Sequence, residues 1–563
     1  MLRIGILLDS YVCSAWVATV VENIQASNFG RVELVVMNTP AAPKPKRFSE
    51  RLKTYWKLGL YNRYEQWDYE RNRGPLDAKA PADLSSLLLG VPVVIVHPLR
   101  KGFTDLIPDD ELGAIRSYDL DVLLRFGFRI IRGGILSSAR YGIWSLHHDD
   151  NREYRGGPPL FWELYERNPV SGTVLQILTE SLDGGHVIYR GLSSTEMMSL
   201  YRNRNNVYWK AAEFFTRRLS DLHRYGFDYI QSLPTYSEQV PYTRGIYRTP
   251  AAPKMMRFIA GFIYRSIRGR VRARMRGAHP QWFLAIRRRT PQRRFLDATG
   301  YTVLTTPSDR FYADPCLFER DCKTYLFLED FRYAEGRALI SYCEIRPDGS
   351  PGPILEILRR PYHLSYPFVF EEAGEIYMIP ETKGNRTVEL YRATHFPEEW
   401  QFDRVLLDNI YAVDATIHKS DGKFWMFVGT SNGRYSNSEE LSIFYAETLH
   451  GPWQPHAFNP VVSDVRSARP AGALFRDSEG RLIRPSQDCS KAYGYATIFS
   501  EVVKLSEAEY EEREIGRVDP TWLKGNLGTH TYTRTDRWEV IDGNFPARIS
   551  APQTGRASAH STS

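Results

Sequence analysis

Residues 145–159 read S-L-H-H-D-D-N-R-E-Y-R-G-G-P-P, and residues 182–185 read L-D-G-G. Asp183 follows His147 by 36 positions. A histidine with a carboxylate in reach can hydrogen-bond a developing oxyanion and move a proton. Gly156 and Gly157 allow the backbone to turn close to a ligand, and Pro158 and Pro159 stiffen the exit. The same loop also reads as a plain junction ahead of a helix over Phe161–Glu166.

Toward the N-terminus, Leu2–Leu8, Val32–Met37, Val93–Val96 and Asp121–Phe126 are short apolar, β-rich runs separated by helical or polar stretches. That alternation predicts a parallel, Rossmann-like α/β sheet, with Ser14–Ile24 as its first helix. No G-x-G-x-x-G follows the first strand, which argues against ordinary dinucleotide binding. The opening M-L-R-I-G-I-L-L-D-S is broken by Asp9 and lacks a small-residue cleavage site, so it reads as a buried strand rather than a signal peptide. No apolar run reaches the length of a membrane span; the longest, Phe258–Tyr264, ends at Arg265.

Between the second and third strands, Pro43–Pro81 interleaves Lys44, Lys46, Arg47, Arg51, Lys53 and Lys57 with Tyr55, Trp56, Tyr61, Tyr64 and Trp67. This insertion reads either as a lid or arm for an anionic molecule or as a solvated amphipathic helix covering a sheet edge.

The His147 loop resembles the folate-dependent formyltransferases acting on methionyl-tRNA, glycinamide ribonucleotide and sugar amines. Their loop runs Asn-x-His, about seven residues, Arg-Gly, and later Asp-x-Gly. His147, Arg155-Gly156 and Asp183 with Gly185 fall in that register, while Ser145 stands where those enzymes carry Asn. The resemblance implies 10-formyltetrahydrofolate as co-substrate, His147 and Asp183 as catalytic pair, Ser145 at the oxyanion position, and Arg155, Gly156 and Gly157 at the folate. Losing an oxyanion donor slows such a reaction by a factor of roughly a hundred to a thousand. The chain is therefore slow, uses another donor, or has drifted to another task; His148 is the adjacent substitute, although neighbouring strand residues point to opposite faces. A metal site from His147, His148, Asp149 and Asp183 is disfavoured by their spacing, and no metal is expected.

The second half repeats. Tyr312-Ala313-Asp314-Pro315, Ser365-Tyr366-Pro367, Val413-Asp414-Ala415 and Ala468-Arg469-Pro470 recur at intervals of 52, 48 and 55 residues, each ahead of an apolar strand. In the first three, an aromatic residue follows the marker by 11 positions: Tyr325, Tyr377 and Trp425. Short alternating strands on such a period predict β-propeller blades. A fifth unit is expected from Thr529–Gly543, closed by a strand near Tyr301–Thr305.

These markers resemble five-bladed glycosidases of the arabinanase and xylosidase kind, and more closely the N-terminal domain of plant glucosamine inositolphosphorylceramide transferases. Asp314 and Asp414 match two carboxylates of the glycosidases, but Arg469 stands where their acid would be. Hydrolysis needs two carboxyl groups flanking the bond, so the resemblance implies a cavity that binds polar or anionic glycan through Asp314, Tyr366, Asp414 and Arg469. Asp314 and Asp414 also fit a structural role, bonding backbone N–H groups, and Glu329 and Glu381 fit either purpose.

The net charge of +7 is local: Lys254–Arg294 carries 13 Lys and Arg with no Asp or Glu, leaving the remainder of the chain net acidic. Ile259, Ile263, Ile267, Val271 and Met275 recur every fourth position among those arginines, predicting a basic amphipathic helix. It suits an anionic membrane surface over residues 254–276 or a linker packed between domains; nucleic acid is disfavoured because no recognition module accompanies it. Five cysteines without paired or C-x-x-C spacing fit a reducing cytoplasm.

The expected organisation is multidomain: a Rossmann-like formyltransferase fold over 1–218, a linker with the basic helix over 219–294, an all-β five-bladed propeller over 295–548, and a disordered tail over 549–563. The expected activity is cytoplasmic formyl transfer to an amino sugar or sugar nucleotide, peripheral to the inner membrane. The alternative is a glycan-binding or glycosidase-like propeller beside an inactive first domain.

Overall fold

The structure is a computed structural model that describes residues 1–39, 48–181, 184–238, 242, 244–276, 281–290 and 293–546. Asp183, Lys44, Lys46, Arg47 and the tail over 549–563 lie outside the described residues. The chain divides into two compact units, Met1–Arg265 and Ser266–Ser563.

The first unit is built on a seven-stranded sheet in the order His186–Ser194, Val170–Ile177, Ile143–His147, Val122–Arg125, Leu2–Leu8, Gly30–Asn38, Val93–Val96. The five strands from Ile143–His147 to Val93–Val96 run parallel, and the other two pair antiparallel. Its central strands are apolar on both sides because both faces are covered. On one face Val20, Val21 and Ile24 of helix Ala15–Gln25 and Phe214, Phe215 and Leu219 of helix Leu200–Ser232 complete the core; on the other, Leu112 and Ile115 of helix Asp109–Arg116 do so. A short helix, Trp162–Glu166, and the strand Val170–Ile177 fill the interval after His147.

The boundary expected at residue 218 does not hold. Helix Leu200–Ser232 runs through it, because Leu222 and Ile230 still belong to the sheet's core. Helix Ala252–Arg276 then buries Met255 and Phe258 against Tyr61 and Tyr64 of helix Phe48–Asn72 and Phe161. The insertion helix is thus packed on one side through Tyr61 and Tyr64.

Among the described residues, the second unit holds five four-stranded antiparallel sheets in succession. Four follow the repeat: Arg310–Leu358, Ser365–Leu407, Tyr411–Pro455 and Phe475–Val518, as outer bounds. The fifth joins the chain's two ends of this unit. Gln281–Arg288 pairs along its whole length with Trp538–Phe545, while Thr302–Val303 adds only a short outer strand and Tyr532–Arg534 the other edge. The expected start at 295 is therefore corrected to 281. The apolar run W-F-L-A-I over 282–286 is a central strand that the surrounding arginines hid.

Candidate functional site

In the first unit, three adjacent strands place Arg125, Ser145 and Gln176 in one row: Ser145 is in register with Arg125 on one side and Gln176 on the other. His147 stands two residues beyond Ser145 on the same face. The Ser145 hydroxyl is buried and accepts a hydrogen bond from Arg125 Nη1 at 3.0 Å. Arg125 Nη2 donates to the Phe128 carbonyl at 3.1 Å, which fixes the guanidinium plane. His147 Nε2 lies 3.0 Å from the Tyr154 carbonyl. A carbonyl only accepts, so Nε2 is the donor in this contact.

Arg125, His147 and Gln176 line a cavity of about 130 Å³ that extends to Glu180 and Ser181. Gln176 Oε1 is buried there without a hydrogen-bond partner among the described residues. Ser181 brings the cavity to within two residues of Asp183 in sequence, and Asp183 itself lies outside the described residues. Arg125 and Gln176 were not singled out in the sequence; their signal is a polar side chain ending or interrupting an otherwise apolar strand.

His148 does not replace the absent amide. Its ring turns to the opposite face, 4.2 Å from Tyr208 and 5.7 Å from Trp16 by ring centroids, and burial pushes its pKa down to about 3. Asp149 turns inward and accepts from the Leu160 N–H at 2.8 Å. It shares its pocket with buried Glu163, whose pKa burial pushes up to about 8, and burial raises Asp149 as well. His147, His148 and Asp149 diverge, so they do not assemble a common ligand set.

Arg155, Gly156 and Gly157 are held by the chain's own Tyr242 and Tyr247. The Arg155 guanidinium lies 4.4 Å from the Tyr242 ring centroid, the Tyr247 N–H donates to the Arg155 carbonyl at 2.8 Å, and Gly157 N–H donates to the Tyr247 carbonyl at 3.1 Å. Gly156 has φ of +105°, and a Cβ there would sit 2.2 Å from the Tyr247 oxygen. The close approach that demands glycine is thus to Tyr247.

In the second unit, the four repeat markers and the fifth sheet converge on one buried polar cluster. Asp314, Tyr366 and Asp414 have φ of +48°, +45° and +54°, each at a register shift in its strand. Such values are strained for non-glycine residues and are retained where the surroundings fix them. Asp314 Oδ2 accepts from the Tyr366 N–H at 3.3 Å, and the Tyr366 hydroxyl lies 2.7 Å from Thr416 Oγ1. Arg469 clamps Asp414 and reaches Glu381 Oε2 at 3.4 Å. Gln487 Nε2 also donates to Asp414, at 3.0 Å. The four predicted residues are therefore brought together, and much of their bonding is with one another and with protein neighbours.

Burial pushes the Asp414 pKa up to about 6, opposed by the Arg469 charge; burial also raises Asp314, opposed by the His530 charge, and Glu329, reinforced by its acidic neighbours. His530, which belongs to none of the sequence motifs, lies between Asp542 (Nδ1 to Oδ2, 2.5 Å) and Asp314 (Nε2 to Oδ1, 3.3 Å). Burial works against its charge, yet the two carboxylates raise its pKa overall. These three side chains are the group among the described residues whose ligand-type atoms come close enough to surround a cation, within 4.8 Å of one another. Tyr493, half-exposed, covers the cluster: its ring centroid lies 5.0 Å from the Arg469 guanidinium and 5.4 Å from the His530 ring.

Residues 297–533 match the family described as glucosamine inositolphosphorylceramide transferase 1, N-terminal. The glucosamine inositolphosphorylceramide transferase 1 of Oryza sativa subsp. japonica is 38% identical over 207 residues, 36% of this chain and 27% of that protein. In the N-terminal region, the methionyl-tRNA formyltransferase of Synechococcus sp. (strain WH7803) is 30% identical over 123 residues, 22% of this chain and 35% of that enzyme. Each match thus spans about a third or less of the relative's own length. Among solved structures, an α-L-arabinofuranosidase of Podospora anserina aligns with 45% of this chain and 99% of its own, at 11% identity and a TM-score of 0.34. The N-terminal region is formyltransferase-like in sequence, and the C-terminal region is similar to one domain of a sugar transferase.

Proposed function

We propose that the first unit transfers a formyl group from 10-formyltetrahydrofolate to the amine of an amino sugar, nucleotide- or glycan-linked, and that the five sheets form a five-bladed propeller holding the carbohydrate. The observation that carries this reading is the row Arg125–Ser145–Gln176 beside His147 at one cavity. The orphaned Gln176 amide oxygen and the cationic Arg125 give that cavity the polar character an acyl-transfer site needs.

When bound, 10-formyltetrahydrofolate supplies the formyl carbon that the acceptor amine attacks. Arg125 stabilises negative charge developing on the formyl oxygen; the Gln176 amide, turned about its last torsion, presents its NH2 to the same place. Arg125 thereby takes over what the short Ser145 hydroxyl does not reach, and Ser145 holds it in line. His147 Nδ1 accepts the proton released from the attacking nitrogen and returns it to the leaving nitrogen, while the Tyr154 carbonyl keeps the tautomer fixed. Asp183 is proposed, from the resemblance, to set the protonation of His147. The products are a formamide and tetrahydrofolate.

Carbohydrate binding by the second unit is supported by Tyr493, whose half-exposed ring offers a stacking face over Arg469, and by the sugar-transferase similarity of residues 297–533. The Arg469 clamp on Asp414 removes that carboxylate as a free base, which disfavours glycoside hydrolysis. Five free thiols support a cytoplasmic, reducing setting.

Mass spectrometry of nucleotide-linked amino sugars incubated with 10-formyltetrahydrofolate tests the reading. The expected result is a gain of one formyl group, abolished in His147→Ala and Asp183→Ala. Neither transfer nor folate binding would leave the second reading, favoured by Ser145: a glycan-binding unit beside an inactive transferase fold.

A further inference from the structure

Helix Ala252–Arg276 carries a buried and an exposed apolar stripe, their centres about 140° apart around the axis. On a helix turning 100° per residue, Met255, Phe258, Ile259 and Phe262 point one way, and Met255 and Phe258 are buried in the first unit's aromatic cluster. Met256, Ile263, Tyr264, Ile267 and Val271 form the exposed stripe, within an arc of about 100°. They are 56%, 51%, 62%, 55% and 49% exposed. This second stripe runs about 22 Å along the helix axis. An exposed row of large apolar residues marks an interaction surface.

Charge identifies the occupant. Arg257 and Arg268 fall on one margin of the stripe and Arg270 on the other, all three exposed. The sequence contains no Asp or Glu between Glu238 and Asp297. A second copy of the same helix would set arginines against arginines, whereas an anionic lipid surface neutralises both margins while its acyl boundary takes up the apolar row. Among the described residues no helix is long and apolar enough to cross a membrane, so the arrangement is one that lies along the interface.

We infer that the exposed stripe Met256, Ile263, Tyr264, Ile267 and Val271, flanked by Arg257, Arg268 and Arg270, docks the protein on the surface of an anionic bilayer. The helix lies in the headgroup region with Ile263 and Ile267 directed into it.

Sedimentation of the full chain with vesicles tests this directly, using phosphatidylcholine alone and phosphatidylcholine mixed with phosphatidylglycerol. Binding is expected on the mixed vesicles and little on the neutral ones. The double variant Ile263→Asp/Ile267→Asp should bind at least about tenfold more weakly with an unchanged urea midpoint, since both side chains are solvent-exposed. Arg268→Gln and Arg270→Gln should each weaken binding about fivefold. Equal binding by wild type and the double variant, or no binding to anionic vesicles, overturns the inference. So does self-association or RNA binding that the double variant abolishes while vesicles remain unbound.

Discussion

Arg469 closes on Asp414 from two nitrogens, Nε to Oδ2 at 2.5 Å and Nη2 to Oδ1 at 3.1 Å, inside the second unit. Both side chains are buried. Arg469 lies ahead of the fourth sheet and accepts from its Gln487 N–H at 2.8 Å, so the clamp ties the third sheet to the fourth, and its reach to Glu381 includes the second. Arg469→Met would leave two carboxyl groups without their cation and should cost about 3–5 kcal/mol. Arg469→Met/Asp414→Leu should recover much of that loss, because an apolar pair needs no partner. Urea unfolding of the full chain, followed through the transition of the second unit, distinguishes the two variants.

The same cluster gives the unit a pH dependence through His530. Its folded-state pKa is raised above the ordinary 6.5 because Asp542 and Asp314 outweigh the effect of burial. A raised pKa means a stabilising contribution that is full below about 6.5 and lost as pH rises through the folded value. His530→Gln, which cannot titrate, should show a flatter stability profile over that window. Denaturation midpoints on either side of neutrality, wild type against variant, check the slope; parallel profiles would refute it.

Asp149 and Glu163 provide the corresponding case in the first unit. Burial raises both carboxyls, Glu163 from 4.5 to about 8, so the pair holds on to protons in the folded state that the unfolded chain has lost. The contribution is complete below 4.5 and disappears as pH rises through about 8. Glu163→Gln resembles the protonated acid and cannot ionise. It should therefore gain stability relative to wild type as pH rises toward 8, measured as the difference in thermal midpoint across that range.

What the sequence revealed followed from local periodicity. The four N-terminal strands, the first helix and the four spaced markers were readable because each is an apolar run with turns around it. The strand Gln281–Arg288 was not, since the arginines on either side outweigh the short run Trp282–Ile286 in any window of composition. Tertiary partners were harder still. Gly156 reads as a ligand-facing turn until Tyr247, distant in sequence, is seen against it. His530 acquires meaning only once Asp314, over two hundred residues away, is beside it. Likewise Ser145 looks like a lost donor until the parallel pairing sets Arg125 against it.

That last pairing can be tested by function. If Arg125 supplies the oxyanion contact, Arg125→Ala should lower kcat for formyl transfer by a factor of roughly a hundred to a thousand while leaving folate affinity near wild type. Arg125→Lys keeps the charge but not the fixed fork of donors, so only partial recovery is expected. Gln176→Leu fills similar volume without the amide and should lower kcat in the same direction. Ser145→Asn, which restores an amide to the centre of the row, should rescue Arg125→Ala in part, because the two groups serve one oxygen. Steady-state kinetics separating kcat from KM decide the matter: a loss confined to KM would assign Arg125 to ground-state binding instead.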